Sequence, residues 1–353
     1  MANIPRVTIG LPVYNGERFL EETLQSILGQ TYRDFELIIS DNASSDRTEE
    51  ICRSFAAQDG RIRYYRNDKN IGAAANFNRV FRLARGEYFK WAAHDDICSP
   101  EFLARCLEVL DRDGGVAVCF SKTVQIDEHG RIERERDWML ANLSSPHAHE
   151  RFHDIVANRH GCEAVFGVMR ASTLRLTPSI GTYIASDRVL LALLSIHGRL
   201  HELPDCLFFQ RDHTGNSVKG KEHEVTAWFD PKRGGKIVFP FWRIAWEYLL
   251  VAIKGPSRAR ERLRCVWELA KWAKSNRANF KWDLSSGVER VLLLRGSRPI
   301  YRQLHRWILS GRFKLPNQVA TFIALTTMLV VEGFHWAFRI GKLGLRLDKA
   351  VGK

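Results

Sequence analysis

Two adjacent carboxylates, Asp95 and Asp96, follow a short run of β-forming and small apolar residues at 88–93. Ser99 and Pro100 come next, and this pair is typical of the start of a helix. A buried strand that ends in acidic residues is where an open α/β sheet binds its ligands. Two carboxylates there suit a Mg²⁺ or Mn²⁺ ion that is shared with substrate phosphates. A polar turn in which the Asp side chains cap the next helix gives the same pattern.

A third carboxylate, Asp41, follows a second apolar run at 35–40. In a parallel sheet it opens on the same edge as Asp95 and Asp96, and a carboxylate after the second strand typically accepts hydrogen bonds from a ribose or base. The chain has no Gly-x-Gly-x-x-Gly after its first strand and no Gly-x-x-x-x-Gly-Lys-Ser/Thr, which weighs against a dinucleotide dehydrogenase and a P-loop NTPase. Carboxylates and a metal, rather than a glycine cradle, would hold the nucleotide.

The elements that must position these carboxylates alternate along the first third of the chain. The hydrophobic pattern predicts strands at 6–13, 35–40, 62–65, 88–93 and 116–124, and helices at 17–30, 48–57, 73–84 and 100–112. Strands that alternate with helices of this length predict an α/β fold, with a doubly wound, mostly parallel sheet flanked by helices.

Four motifs then give a family resemblance. They are Ile9-Gly10-Leu11-Pro12-Val13-Tyr14-Asn15, Ser40-Asp41-Asn42-Ala43-Ser44-Ser45-Asp46-Arg47-Thr48, Asn70-Ile71-Gly72 with Asn76, and the Asp95-Asp96 pair. In this order and spacing, residues 7–130 resemble the donor-binding half of a family 2 glycosyltransferase with the GT-A fold. The resemblance is close over about the first third of the chain and loose to about residue 220.

The resemblance implies a nucleotide-diphospho-sugar donor (a UDP-, GDP- or dTDP-sugar) and a divalent metal, Mg or Mn. Carried over residue by residue, it implies that Pro12, Tyr14 and Asp41 line the base and ribose. It also implies that Asn70, Gly72 and Asn76 shape the donor site. Asp95 would face ribose or sugar, and Asp96 would bind the metal. Many members have a further acidic residue where this chain has Ala93. The metal would therefore depend more on Asp96, water and phosphate, with His94 as a spacer or an additional ligand.

Two later stretches complete the predicted site. Asp187 lies at the start of an apolar helix at 189–196, where it is either a helix cap or, as the resemblance implies, the general base for the acceptor hydroxyl. Arg211 and His213 resemble the family's Arg-x-His motif, which implies that Arg211 neutralises the diphosphate and that His213 ligates the metal. The alternative for this stretch is a surface loop with an incidental His.

Between these stretches, the charged and His-rich segment 130–160 predicts an exposed, mobile loop on the acceptor side. Its histidines form neither a His-Glu-x-x-His motif nor a two-His pair on one face, so a metal site there is the minor alternative. Residues 161–170 predict a strand that closes the sheet beside the site.

Charge divides the chain unevenly. Residues 231–353 hold 25 Lys and Arg against 7 Asp and Glu, while the first 230 residues hold 28 against 33, and seven of the ten Trp follow residue 230. We therefore expect a GT-A domain at 1–230, with a donor-binding half at about 7–130 and an acceptor half at about 131–230. A helical, basic, Trp-rich C-terminal region would follow at 231–353.

Helices predicted at 241–254, 259–275 and 287–295 place Trp beside Arg and Lys, which suits an anionic membrane surface. Packing against the catalytic domain with a solvated basic face explains the composition equally well. The uncharged run 318–331 is shorter than the ~20 residues that cross a bilayer. We expect a cytoplasmic protein, because the start of the chain lacks the basic and apolar regions of a signal peptide and the seven cysteines form no CxxC pair. A peripheral position on the membrane is a further expectation.

The residues and the resemblance together predict a metal-dependent glycosyltransferase that acts on a hydroxyl of a glycan or lipid-linked acceptor in cell-surface polysaccharide synthesis. The resemblance, rather than the spacing of the residues, implies that the enzyme is inverting. A sugar nucleotidyltransferase shares the sheet and the acidic site, but normally carries a glycine-rich basic loop after the first strand, which is absent here. A non-catalytic sugar-nucleotide-binding or membrane-binding protein remains a second alternative. We expect no nucleic-acid partner, since the basic region has no recognised motif.

Overall fold

The computed structural model describes residues 4–136, 140–215, 222–233, 238–255 and 258–294. The chain divides into two compact units: one comprises 1–236 and 243–276, and the other 237–242 and 277–353. The candidate site residues all lie in the first unit. The predicted domain boundary after residue 230 stays a prediction.

Within the described residues, nine strands form one mixed sheet. Their bounds are β1 Val7–Val13, β2 Phe35–Asp41, β3 Ile62–Arg66, β4 Tyr88–Trp91, β5 Ile97–Cys98, β6 Val116–Ile126, β7 Ile132–Arg136, β8 Val168–Arg170 and β9 Arg199–Arg211. The order is β3-β2-β1-β4-β8-β6-β9-β5, with β7 paired to β6. Strands β3, β2, β1 and β4 run parallel, while β8 is antiparallel to both β4 and β6. The predicted doubly wound, mostly parallel sheet is therefore confirmed.

Helices flank this sheet. In the first unit they are α1 Leu20–Leu28, α2 Thr48–Gln58, α3 Ala73–Arg82, α4 Phe102–Arg112, α5 Ala148–Ala157, α6 Ala171–Leu174, α7 Ser186–His197 and α8 Glu222–Phe229. Each of the first four follows a turn after a strand and buries one apolar face. Leu20, Leu24 and Ile27 of α1, for example, pack into the main core with strand residues such as Leu11 and Leu37. This α/β layering fixes where the strands end.

The parallel register brings the predicted site residues to one edge. Val13 of β1 pairs with Asp41 of β2, and Asp41 pairs with Arg66 of β3. Strand β4 ends at Trp91, and Asp95 and Asp96 follow within five residues. Because carboxyl ends of parallel strands share an edge, Asp41 and the acidic pair open on the same side of the sheet.

The prediction of an exposed, mobile loop at 130–160 is wrong for residues 132–136 and 148–157, which form a strand and a helix. Residues 132–136 form β7, and helix α5 buries Phe152, Ile155 and Val156. His160 is also buried, and burial lowers its pKa to about 4. Apolar residues spaced three and four apart among the histidines produce this helix. The predicted strand at 161–170 is shorter than expected, since a 3₁₀ turn at Glu163–Phe166 precedes β8.

Three further helices are α9 Pro240–Lys254, α10 Ala259–Ser275 and α11 Arg277–Leu294. The first two match the predicted ranges closely, whereas α11 begins ten residues before the predicted start at 287. In the second unit, the Asp283 carboxylate accepts the N–H groups of Phe241 and Trp242, which satisfies two donors at the start of α9. The uncharged run 318–331 lies outside the described residues. None of the helices in the described ranges is long and apolar enough to span a membrane.

Candidate active site

The acidic pair lies between β4 and the end of β9. The backbone N–H of Arg211 donates to Asp96 Oδ1 at 3.0 Å, and Thr23 Oγ1 donates to the Asp96 carbonyl at 2.9 Å. His213 Nε2 lies 3.0 Å from Asp95 Oδ2. The chain after β4 is thus held both by helix α1 and by the last long strand. This anchoring fixes two neighbouring carboxylates at the carboxyl edge of the sheet.

The two carboxylates have opposite electrostatic environments. Burial, together with the charge of Asp95, raises the pKa of Asp96 well above its ordinary value. Burial also acts on Asp95, but the hydrogen bond and charge of His213 and the charge of His94 hold the pKa of Asp95 below its ordinary value. Two adjacent carboxylates in a buried site repel each other when both are ionised. A bound dication would relieve that repulsion.

Among the residues that the structure describes, no three His, Cys, Asp or Glu side chains form a group that could hold a metal alone. Mg²⁺ and Mn²⁺, however, are commonly held by one or two carboxylates together with substrate phosphates and water. The mutually repelling Asp95 and Asp96 fit that kind of site. They offer hard oxygen ligands in a place where one more negative charge is unfavourable.

His213 and Arg211 both contact other parts of the protein. The Gly215 N–H donates to His213 Nδ1, so Nε2 carries the hydrogen that faces Asp95, and both ring nitrogens are engaged. Arg211 is 2% exposed; it pairs with Glu22 at 2.5 Å and donates to the carbonyls of Asp95, Asp127 and Glu128. These contacts join parts of the protein to one another, and the expected roles of Arg211 at the diphosphate and of His213 at the metal stay predictions. His213 positions Asp95 in this structure.

Asp41 is fully buried, and its oxygens already have protein partners. Oδ1 accepts the Ser44 N–H, while Oδ2 accepts from Tyr64 Oη at 2.9 Å and from Arg66 Nη1 at 2.6 Å. These three contacts hold the Asp41 carboxylate in place, and its expected contact with a base or ribose stays a prediction. Arg66, whose side chain is 34% exposed at the same sheet edge, is a further candidate that the sequence analysis did not identify. The rule that finds Asp41 at the end of β2 would also have found Arg66 at the end of β3.

The turn after β1 is fastened to the turn after β2. The Asn15 N–H donates to Ser44 Oγ, the Gly16 N–H donates to Thr48 Oγ1, and the Asn15 side chain accepts the Ser45 N–H. A Cβ on Gly16 would lie 2.8 Å from His94 Cδ2, so the His94 ring packs on this turn. Tyr14 projects from it with an exposed ring, while Pro12 is buried within β1. The first two motifs therefore form one wall next to the acidic pair.

Asparagines in and around the third motif form an amide network behind that wall. Asn76 accepts from Ser40 Oγ at 2.7 Å and donates to the Ser40 carbonyl, and Asn67 donates to Asn76. Asn70 accepts from the Asn42 side chain and from the Gly72 N–H. These contacts hold the loop before α3 against the end of β2. Gly72 has φ +86°, and a Cβ there would lie 2.8 Å from the Phe229 carbonyl oxygen, so this position requires glycine.

Asp187 lies in the first turn of α7 and is partly buried. Its Oδ1 accepts the N–H of the next residue, Arg188, at 2.8 Å. The helix cap position is Ala185, so Asp187 is not the N-cap that one interpretation of the sequence expected. Burial raises the pKa of Asp187. A half-buried carboxylate whose pKa is raised has the properties of a proton acceptor that works near neutral pH.

Helix α9 contributes residues near Asp187 that the sequence did not indicate. The Arg243 guanidinium stacks over Tyr183, just before α7, at 4.8 Å, and Gly255, just after α9, packs against Ile196 of α7. Between these contacts lies Tyr248, which is fully buried; burial raises its pKa, and the Asp187 charge is one of the nearby groups. Only the docking of two distant helices brings these residues together, so no sequence spacing could reveal them.

Comparisons with known proteins agree with this geometry. Residues 8–174 match the model of the family described as Glycosyl transferase family 2. An uncharacterized glycosyltransferase of Methanocaldococcus jannaschii is 33% identical over 133 residues, which are 37% of this chain and 46% of the relative. The chain therefore spans less than half the length of this curated relative.

Solved structures show the same fold at low sequence identity. Staphylococcus aureus TarS 1–349 in complex with UDP has a TM-score of 0.59 and 15% identity, with 87% of this chain and 90% of that chain covered. The mannosyltransferase PcManGT from Pyrobaculum calidifontis, in complex with GDP-Man and Mn²⁺, has a TM-score of 0.51 and 19% identity, with 93% and 86% covered. At these identities the likeness concerns the fold alone.

Proposed function

We propose that this chain is an inverting, metal-dependent glycosyltransferase, and the match of residues 8–174 to the model of glycosyl transferase family 2 supports this proposal. It moves a sugar from a nucleotide-diphospho-sugar to an acceptor hydroxyl. The observation that carries the proposal is the buried Asp95–Asp96 pair at the carboxyl edge of the parallel strands. Such a site needs a cation, and a diphosphate brings the oxygens that complete its shell.

The donor lies along the wall formed by the turns after β1 and β2. Tyr14 is the exposed aromatic ring on that wall, and Arg66 is the cation beside it. TarS with UDP and PcManGT with GDP-Man and Mn²⁺ support a nucleotide-sugar donor and a divalent ion for the same fold. A divalent ion on Asp96, when bound, neutralises the charge of the leaving diphosphate. Asp95, held by His213, faces the ribose or the sugar.

Asp187 acts as the general base. Its carboxylate takes the proton of the acceptor hydroxyl, whose oxygen forms a bond to the anomeric carbon on the face opposite the nucleotide. The bond from that carbon to the diphosphate oxygen breaks, and the nucleoside diphosphate leaves with the bonding electron pair. Inversion at the anomeric carbon follows from this single displacement.

The acceptor is a hydroxyl of a glycan or a lipid-linked glycan in cell-surface polysaccharide synthesis. The partly buried surroundings of Asp187, with Tyr183 and Arg243 close by, support a polar, ring-shaped acceptor. Aromatic rings and hydrogen-bonding side chains together suit sugar rings, which have apolar faces and polar edges.

A release assay tests the reaction. Wild-type protein is incubated with UDP-, GDP- and dTDP-sugars and Mn²⁺, and the nucleoside diphosphate released to water is measured from acidic to neutral pH. We expect release from one nucleotide series, and we expect the rate to rise with pH through the raised pKa of Asp187, because only the ionised carboxylate accepts a proton. Asp187→Asn should lower release at least ~100-fold while leaving donor binding unchanged.

Asp205→Asn is the matched control, since that carboxylate pairs with Arg105 at the surface. It should release nucleotide as the wild type does. Release that survives Asp187→Asn would remove the base assignment. No release from any of the nucleotide sugars would contradict the proposed reaction.

A further inference from the structure

Helix α10 has one solvent-facing side that combines cations with large apolar residues. A helical turn of 3.6 residues brings positions three, four and seven apart onto one side. We define this side as the α10 face, which consists of Arg260, Leu263, Trp267, Lys271 and Lys274. Leu263 is 71% exposed and Trp267 is 65% exposed, while the three cations are exposed beside them.

The opposite side of α10 packs against the rest of the protein. Cys265, Leu269 and Trp272 are buried, and the Trp272 ring packs against Tyr248 of α9. Toward α5, Glu261 meets His149 Nδ1 at 2.8 Å, and Glu268 meets His153 Nδ1 at 2.7 Å. Both acidic side chains of the helix therefore contact α5, and Glu268 also pairs with Lys271 Nζ at 2.8 Å. None of the five residues that define the α10 face is itself acidic.

Single exposed apolar residues are common on protein surfaces. Here, however, a Leu and a Trp lie one turn apart and are bordered by cations along a helix of about 25 Å. A helix with apolar residues flanked by Lys and Arg, including an aromatic ring of the type that sits at headgroup level, is the pattern of a segment that lies on a bilayer. A nucleic acid would satisfy the cations but leave Leu263 and Trp267 in water.

We propose that the α10 face docks on the surface of an anionic lipid bilayer. Trp267 and Leu263 enter the headgroup region, and Arg260, Lys271 and Lys274 lie against the anionic headgroups. This interaction goes beyond the proposed transfer reaction and does not depend on it. It would hold the first compact unit, which includes α10 and the candidate active site, at a membrane.

Vesicle co-sedimentation of the full chain tests this surface. Vesicles of phosphatidylcholine alone are compared with vesicles of equal parts phosphatidylcholine and phosphatidylserine. We expect binding only to the anionic vesicles, and at least a tenfold weaker partition for Leu263→Ala/Trp267→Ala. The matched control is Trp282→Ala/Leu284→Ala on α11, where the same residue types are 53% and 46% exposed. The control should bind as the wild type does.

A charge variant tests the second component. Arg260→Glu/Lys274→Glu should weaken binding by about fivefold or more for each cation, and added salt should reduce wild-type binding further. Melting temperatures of the variants verify that they fold. If the apolar variant is unfolded, the charge variant alone tests whether the α10 face binds the vesicles. Equal loss in the α11 control, no binding to anionic vesicles, or binding to duplex DNA without binding to vesicles would each overturn the proposal.

Discussion

Arg211 is a buried cation that contacts several separate parts of the protein. It joins Glu22 of α1 to three carbonyls that follow β4 and β6. Arg18 offers a natural comparison, because its guanidinium also stacks on Phe19 but is about half exposed and pairs with Glu128. The two side chains differ mainly in burial, so a comparison of their variants measures how much burial adds to the stabilising effect of such a cation.

We therefore predict that Arg211→Ala lowers the free energy of unfolding by at least about 2 kcal/mol, since it leaves buried carbonyls without their donor. Arg18→Ala should cost less than about 1 kcal/mol, as is usual for a solvent-exposed ion pair. Urea denaturation followed by circular dichroism measures both values. Similar losses in the two variants would show that burial does not decide the role of Arg211.

At the residue scale, the sequence could locate side chains that directly follow strands. Asp41, Asp95 and Asp96 lie at the predicted sheet edge, because strand ends are readable from local pattern. The hydrogen-bond partners of these residues were not readable. Nothing in the spacing indicates that Arg66 pairs with Asp41 or that Glu22 pairs with Arg211, since both ion pairs depend on how separate elements approach each other.

At the element scale, two His–Glu contacts join α5 to α10. Burial alone would raise the pKa values of Glu261 and Glu268, but His149 holds the pKa of Glu261 below its ordinary value, and Lys271 with His153 does so for Glu268. We predict that Glu261→Gln/Glu268→Gln lowers the free energy of unfolding by about 1 kcal/mol at neutral pH. Glu108→Gln, which breaks an exposed pair with Arg112, should have a smaller effect.

The pH dependence of that difference follows from linkage. A carboxyl whose pKa is depressed in the folded state binds fewer protons there than in the unfolded state, so its contribution is present above the unfolded value of about 4.3 and is lost as the pH falls through the folded value. The gap between wild type and the double variant should therefore narrow on acidification. Thermal unfolding from neutral pH to pH values below ~4 measures this, and a gap that widens in acid would contradict the assignment.

Elements with a clear hydrophobic period were predicted well, whereas the His-rich segment was not. Strands β1 to β4 and helices α2, α9 and α10 lie within a few residues of their expected bounds, because apolar residues recur there at two- or 3.6-residue spacing. In α5 the apolar residues Phe152, Ile155 and Val156 alternate with charged and His side chains. That composition is typical of a loop. The sequence does not show that Glu261 and Glu268 of α10 pair with the histidines of α5.

At the scale of the whole molecule, the predicted family resemblance agrees with the match of residues 8–174 to the family model, and the predicted GT-A fold agrees with the structural likeness to TarS and PcManGT. Most of α9 and all of α10 belong to the compact unit that contains the sheet, while the predicted boundary after residue 230 stays a prediction. Composition reports which residues are basic, but not which helices pack against the sheet-bearing unit. That packing places Tyr248 near Asp187.

The central claim is a nucleotide-sugar site that depends on Asp96 and a divalent ion. Thermal unfolding of wild type and Asp96→Asn with UDP-, GDP- and dTDP-sugars, each with and without Mn²⁺, tests it most directly. Asn keeps an oxygen that can accept the Arg211 N–H, so the variant should fold. A ligand at 100 times its dissociation constant adds about 2.7 kcal/mol of stability. We predict that one nucleotide series stabilises the wild type only when Mn²⁺ is present, and that Asp96→Asn loses this stabilisation. The absence of any shift in the wild type, or an equal shift in the variant, would contradict the account.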